Sequence, residues 1–238
     1  MIKKINLLAC FFILFFTCCS DEIEMTTPKP QSNSINKILT LGASRVEGGR
    51  PEYESYRYDL WKKLKENNFI FDFIGTQTDK STYPQFNGMT FDCDHEGRGG
   101  WTSLDILTDI NYWLSLTGPP DIVLFSSPGG NDALEGLSYT EAIANINDII
   151  DIIQDFNPNI TIVIEQMAPA RSDIMTSELT EFLENIKVEI LNISENQTTS
   201  KSEIIAIDMF SEFSDSLLAD DVHYNEEGAK FLAGRYFD

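Results

Sequence analysis

Five short apolar runs, separated by longer segments with helical periodicity, constrain the fold of this 238-residue chain most strongly. The runs are continuously apolar rather than alternating, which is typical of strands buried on both faces of a parallel sheet. They lie at residues 38–41, 71–75, 121–125, 160–165 and 203–208. Strand and helix therefore alternate along the chain, and this order predicts a parallel sheet with helices on both faces.

Three of the intervening segments are predicted to be helices. Apolar residues recur every three or four positions over residues 139–156 and again over 179–190, and Pro158 prevents the first helix from continuing. A third helix begins after Thr102, which can cap it together with Asp105, and runs to about residue 116. We predict one α/β domain over residues 36–238, a three-layer α/β/α sandwich with a five-stranded parallel sheet. Ligands of such folds bind beyond the carboxyl ends of the strands.

The amino terminus predicts export. Residues 1–18 contain two lysines followed by an apolar run that is too short to span a bilayer, which is typical of a signal peptide. The segment resembles a bacterial lipoprotein signal, with Cys19 as the lipidated residue and Cys18 as the alternative. The acidic run after Cys19 also resembles the surface-export tag of Bacteroidetes lipoproteins.

The region after the signal indicates how the domain is attached. Residues 19–35 are rich in Ser, Thr, Pro, Asn and acidic residues, and we predict a flexible tether there. The expected localisation is the outer membrane or the cell surface, with membrane attachment through the lipid anchor only. A plain secretory signal, giving a periplasmic or secreted protein, is the alternative.

Charge and cysteine content exclude several classes of partner. Without the two lysines of the signal, 15 basic residues face 38 acidic ones, a net charge of −23. Nucleic acid and anionic lipid surfaces are therefore poor partners. Cys93 is the only cysteine beyond the signal region, so the domain cannot form an internal disulfide. His95, His223 and Cys93 do not have the spacing of metal ligands, and we expect neither a metal nor a cofactor.

Four polar segments lie where the predicted sheet would bring them together. Ser44 follows the first strand, and a glycine-rich loop containing Gly100 leads into the capped helix. Asn131 follows the third strand, and Asp220 precedes His223 by three residues near the end of the chain. A serine hydroxyl needs a base to become a nucleophile, and an acidic residue at this spacing can orient the imidazole of that base.

The four segments, in this order, resemble the conserved blocks of the SGNH (GDSL-type) hydrolase superfamily. The runs SRVEGGRPEYESYRYDLW, FDFIGTQT and DHEGRGGW further resemble carbohydrate esterases of the acetylxylan esterase kind. The resemblance covers residues from about 38 to 237 and implies a flavodoxin-like fold and ester hydrolysis. It implies Ser44 as the nucleophile, Asp220 and His223 as the rest of the triad, and Ser44, Gly100 and Asn131 as oxyanion-hole donors.

Two residues of the first block depart from the superfamily pattern. Ala43 stands where the superfamily has an aspartate, and this change is expected to loosen the loop that positions Ser44. Arg45 is larger and more polar than the usual residue, and it either contacts substrate or points to solvent.

Substrate contacts are assigned to Arg45, Trp101 and His95. Trp101 and the tyrosines at 53, 56 and 58 can stack on a sugar, although aromatic residues beside loops often belong to the core. His95 also competes with His223 for the role of base; a structural or substrate-binding role is preferred for it. Arg57 is predicted to be structural and paired with an acidic residue.

The leading functional hypothesis is a serine esterase that removes acetyl or other short acyl groups from carbohydrates. A lipase, lysophospholipase or thioesterase of the same fold is the nearest alternative. A non-catalytic glycan-binding lipoprotein is the alternative from another class; Ala43 keeps it open, and the complete set of Ser44, Gly100, Asn131, Asp220 and His223 opposes it. The sugar, the acetyl position and the oligomeric state are not specified by the sequence.

Overall fold

The computed structural model describes residues 29–238. The predicted signal peptide, the lipidation site at Cys19 and the first part of the predicted tether lie outside these residues. Residues 29–35 contain neither helix nor strand; Lys29 bonds to Thr78 and lies 2.5 Å from the Asp94 carboxylate, and Gln31 donates to the Ser115 carbonyl over 3.3 Å. Among residues 29–238, no helix combines the length and the apolar character that crossing a bilayer requires.

The sheet has seven strands among the described residues: β1 (Lys37–Gly42), β2 (Asp72–Ile74), β3 (Gln77–Thr78), β4 (Asp94–Gly97), β5 (Ile122–Phe125), β6 (Thr161–Gln166) and β7 (Glu203–Asp208). The five predicted strands are all parallel and lie in the order β2-β1-β5-β6-β7. Two short strands were not predicted: β4 pairs in parallel with the carboxyl half of β1, and β3 is antiparallel to β4.

Helices cover both faces of this sheet. They are α1 (Ser44–Glu47), α2 (Arg57–Glu66), α3 (Ser103–Thr117), α4 (Gly130–Leu134), α5 (Tyr139–Phe156), α6 (Ser177–Gln197) and α7 (Glu226–Phe237), with short 3-10 turns at Ser172–Ile174 and Asp215–Leu217. The predicted capping box of α3 is present, because Thr102 and Asp105 exchange side-chain and backbone hydrogen bonds. Helix α5 ends at Phe156, as Pro158 predicts.

Alternate residues of each central strand enter two separate cores. Leu39, Val123 and Ile162 pack with α3, α5 and α6, whereas Ile38 and Leu124 pack with α2 and α7. A strand that is buried on both faces is apolar at nearly every position, which explains the continuous apolar runs of the sequence. Thr40 of β1 and Glu165 of β6 are the buried polar exceptions in these two strands. The three-layer sandwich and the flavodoxin-like strand order are therefore confirmed.

Candidate active site

The carboxyl ends of the central strands carry the predicted site residues. Ser44 is the first residue of α1, two positions after the end of β1. The glycine-rich loop follows β4, and Asn131 lies in α4 after β5. His223 comes from the loop that precedes α7, so the beginning and the end of the domain meet at this edge of the sheet.

Ser44, His223 and Asp220 form one chain of hydrogen bonds. The Ser44 Oγ lies 2.8 Å from the His223 Nε2, and the His223 Nδ1 lies 2.7 Å from the Asp220 Oδ2. With the proton on Nδ1, the imidazole donates to Asp220 and its Nε2 can accept the hydroxyl proton of Ser44. The structure thus brings the three predicted triad residues together in the order that nucleophilic catalysis requires.

The loop around Asp220 holds that carboxylate in place. Its Oδ1 accepts from the backbone N–H groups of Val222 and His223 over 2.9 and 2.8 Å. Burial raises the pKa of Asp220, but these backbone hydrogen bonds and the bond from the His223 ring outweigh burial, so its pKa lies below the usual value. The carboxylate is therefore ionised at neutral pH and can stabilise a protonated imidazole.

The His223 imidazole also has an aromatic neighbour. The Tyr53 ring stacks on the His223 ring with centroids 4.0 Å apart and planes 20° apart. Burial raises the pKa of Tyr53, and the carboxylates of Glu47 and Asp220 raise it further, so the phenol stays neutral. One face of Tyr53 is thus used for packing on His223. Tyr56 and Tyr58 are buried in the core, which is the alternative that the sequence left open for them, so they do not line a sugar cleft.

Three groups near Ser44 can donate to an oxyanion. The backbone N–H of Ser44 opens the first turn of α1, where helical N–H groups have no partner in their own helix. The Asn131 Nδ2 donates one hydrogen to the Trp101 carbonyl over 2.7 Å, which leaves its second hydrogen for a ligand. Gly100 is exposed, and its φ of +79° is a conformation that favours glycine.

Two acidic residues, which were not assigned a role from the sequence, hold these donors in place. The Glu47 Oε2 accepts from the Gly99 N–H over 2.6 Å and so ties the glycine-rich loop to α1. The buried Asp132 accepts from the N–H and the hydroxyl of Ser103 over 2.8 and 2.6 Å. That contact fixes α4, and with it Asn131, to the start of α3. Asp132 belongs to the GGND sequence, but its partner Ser103 lies 29 residues earlier in the chain, so the contact could not be predicted from the local sequence.

The structure changes the interpretation of two predicted substrate contacts. His95 lies on β4, is only 2% exposed and accepts from the Gly97 N–H through Nδ1. Burial and the nearby charges of Arg57 and Arg98 lower its pKa to about 2. His95 is therefore a neutral structural histidine, and neither substrate binding nor a role as base is open to it. Arg45 is also buried, and its hydrogen bonds go to the protein itself.

The role of Trp101 in stacking on a sugar stays a prediction. Its ring is partly exposed, packs on Trp113 with centroids 5.4 Å apart and has the Arg98 guanidinium 5.0 Å from its centroid. Arg57 is confirmed as a structural residue: it is fully buried and pairs with Asp79 over 2.9 Å.

A small cavity opens beside Ser44. Its volume is about 40 Å³, enough for a few water molecules or one short acyl group. Ser44 and Asn131 lie in its wall, and the remaining wall is mostly apolar, including Leu134, Met167, Ala168, Ala170, Leu179 and Leu183. Within the described part of the chain, no group of three or more His, Cys, Asp or Glu side chains is arranged to hold a metal ion.

Comparison with known proteins identifies similar structures but no close sequence relative. No protein-family model matches the sequence, and no curated protein matches it. A carbohydrate esterase of family 3 from Talaromyces cellulolyticus is 26% identical with a TM-score of 0.72, covering 84% of this chain and 94% of that one. An acetyl esterase mutant with an acetate ion is also 26% identical, with a TM-score of 0.73 and the same coverage. A family 3 carbohydrate esterase from Clostridium thermocellum is 25% identical with a TM-score of 0.68, covering 84% and 92%.

Proposed function

We propose that this chain, a hydrolase of the SGNH superfamily by its fold and its site, is a serine esterase that removes acetyl or similarly short acyl groups from carbohydrates. The sequence motifs predicted a likeness to SGNH hydrolases and carbohydrate esterases, and the solved structures that this chain resembles include carbohydrate esterases. The single observation that carries the proposal is the continuous hydrogen-bond chain of Ser44, His223 and Asp220, at 2.8 and 2.7 Å.

Acylation follows from this geometry. The His223 Nε2 takes the Ser44 hydroxyl proton while Oγ forms a bond to the ester carbonyl carbon, whose oxygen becomes an anion. The Ser44 and Gly100 N–H groups and the Asn131 amide stabilise that anion, and Asp220 stabilises the imidazolium. The bond to the sugar oxygen then breaks, and His223 returns its proton to that oxygen. An acyl group remains on Ser44, and the sugar leaves with a free hydroxyl.

Deacylation repeats the same steps with water. His223 removes a proton from water as the water oxygen attacks the acyl carbon, and the same donors hold the second oxyanion. The bond to Ser44 Oγ then breaks, Oγ recovers its proton from His223, and the acid is released.

The cavity beside Ser44 supports a short acyl group. A volume of about 40 Å³ with apolar walls accommodates a methyl or ethyl group and is too small to enclose a fatty acyl chain. Two of the similar structures are carbohydrate esterases, and a third is an acetyl esterase with an acetate ion. These observations favour acetylated carbohydrate over the lipase and thioesterase alternatives.

The complete set of site residues opposes a non-catalytic binding role. A glycan-binding protein has no need of an ionised Asp220 bonded to an imidazole that in turn reaches a serine hydroxyl. We further propose that the protein is an exported lipoprotein anchored through Cys19. That proposal rests on the sequence of residues 1–35 alone.

Release of acetate tests the proposed function. Purified protein is incubated with acetylated xylan, acetylated pectin, acetylated simple sugars and a long-chain acyl ester, with Ser44→Ala as the control. We expect acetate from at least one carbohydrate, little hydrolysis of the long-chain ester and no reaction with Ser44→Ala. A preference for the long-chain ester would overturn the carbohydrate assignment. Equal rates for the wild type and Ser44→Ala would overturn the esterase assignment.

A further inference from the structure

Arg45, which follows the nucleophile directly, is a buried side chain that joins three separate loops of the active site. Its Nε donates to the Val222 carbonyl over 2.8 Å, next to His223. One terminal nitrogen donates to the Ala168 carbonyl over 2.7 Å, and the other donates to the Pro169 carbonyl over 3.1 Å. Residues 168 and 169 follow β6, so the guanidinium links the ends of β1 and β6 to the histidine loop.

A second layer of contacts fixes the guanidinium itself. Its Nη1 also lies 3.3 Å from the Ser127 hydroxyl, and its carbon atom lies 4.8 Å from the centre of the Tyr224 ring. On the other side of Ser127 is Glu165, which is fully buried and accepts from the Ser127 N–H over 2.7 Å. Burial raises the pKa of Glu165, while hydrogen bonds from Tyr236, Ser127 and Ser126 and the charge of Arg45 oppose that rise.

We infer that Arg45 is a positioning residue that sets the distance between the Ser44 hydroxyl and the His223 imidazole. In this role it keeps the Ser44 loop rigid, although Ala43 replaces the aspartate that the superfamily has in that loop. This inference rests on the proposed function. Arg45 is bonded to the serine through the chain and to the residue before the histidine through its Nε. Arg45 therefore connects the loop of Ser44 directly to the loop of His223, in addition to the Ser44–His223 hydrogen bond itself.

The chemistry of the side chain explains why arginine stands here. A guanidinium is a rigid fork with five donors and can serve carbonyl groups of different segments at once. A lysine ammonium is a point charge on a flexible stem and cannot reach all of these acceptors in one position. A misplacement of about 1 Å between reacting groups costs about 10²-fold in rate.

A double-mutant cycle tests the inference. Arg45→Met is measured with 4-nitrophenyl acetate in the wild-type background and in His223→Ala. We expect Arg45→Met to lower kcat about 10²-fold in the first background and less than about threefold in the second, because there is no base left to position. Arg45→Lys should remain impaired. Leu60→Ala, which removes a buried apolar side chain of α2 that makes none of the Arg45 hydrogen bonds, controls for lost stability and should leave kcat unchanged.

A measurement without substrate separates this inference from the proposed function. The chain has two histidines, so the Nδ1 proton signal of His223 in an NMR spectrum is identified by its loss in His223→Ala. We expect this hydrogen-bonded signal in the wild type and in Leu60→Ala, and its loss in Arg45→Met. A signal that persists in Arg45→Met, or an equal loss of kcat in both backgrounds of the cycle, would overturn the role of Arg45. A wild type that hydrolyses no acetyl ester would overturn only the function.

Discussion

Replacing Asn131 by alanine is the sharpest test of the oxyanion hole. The Asn131 Nδ2 has two hydrogens, of which one is held by the Trp101 carbonyl at 2.7 Å. That bond aims the amide and leaves a single donor for the oxyanion. Removing one such donor costs about 2.7–4 kcal/mol of transition-state stabilisation, or about 10²- to 10³-fold in kcat. Because the lost interaction forms only in the transition state, KM should change much less than kcat.

The assay is steady-state hydrolysis of 4-nitrophenyl acetate, with two companion variants. Asn131→Asp has the same shape but offers no donor and adds a negative charge beside the oxyanion, so it should be slower than Asn131→Ala. Asn157→Ala is the matched control, because the Asn157 Nδ2 donates to the Pro120 carbonyl over 2.6 Å at the opposite end of the sheet. Its kcat should equal that of the wild type. A loss of less than tenfold in Asn131→Ala would refute the assignment of Asn131 as a donor.

Four further predictions concern the cavity, the glycine-rich loop and two buried titratable groups. Leu183→Ala should enlarge the cavity and raise kcat/KM for a butyrate ester relative to an acetate ester by roughly 15-fold, from about 0.8 kcal/mol for each of two methylenes; an unchanged ratio would place the acyl group elsewhere. Glu47→Ala should lower kcat/KM about 10-fold, because it releases Gly99 and a hydrogen bond to a charged group contributes about 1.5 kcal/mol. Glu47→Gln can still accept the Gly99 N–H and should retain most of the rate. His95 has a pKa of about 2 in the folded chain against 6.5 for an ordinary histidine, so below pH 6.5 only the unfolded chain takes up a proton and the free energy of unfolding falls. His95→Gln removes this pH-dependent loss. It should keep kcat and, in urea unfolding, recover about 2 kcal/mol of the free energy of unfolding at pH 5. Burial raises the pKa of Asp92 to about 6 against a usual 3.8, so the cost of its ionisation to folding grows from about pH 4 to pH 6 and stays constant above pH 6. Asp92→Asn should therefore raise the free energy of unfolding by up to about 3 kcal/mol at pH 8 and by nothing at pH 3. A gain that does not depend on pH would contradict the reasoning.

The features that follow from local sequence were predictable. Strands β1, β5, β6 and β7 were predictable because each is an almost continuous apolar run, and the capping box of α3 is a pattern of four neighbouring residues. Asp220 and His223 are likewise three residues apart, so their contact could be predicted from the loop alone.

Features that depend on distant partners were not predictable. Strand β4 reads DHEG, which has no strand periodicity, and it is extended because the carboxyl half of β1 offers it a free edge. The burial of His95 follows from that pairing. Arg45 looked like a solvent or substrate contact because its acceptors lie 82 to 177 residues further along the chain. The stacking of Tyr53 on His223 depends on the same tertiary arrangement.

The hydrogen bond between Ser44 and His223 spans 179 positions of the chain. A contact between residues so far apart in sequence forms only after the intervening strands have been ordered. Hydrolysis is therefore a direct report that the entire domain has folded, and partly folded or truncated chains should have no esterase activity. Trimming the last sixteen residues by a protease would remove the base and switch the enzyme off without touching its nucleophile.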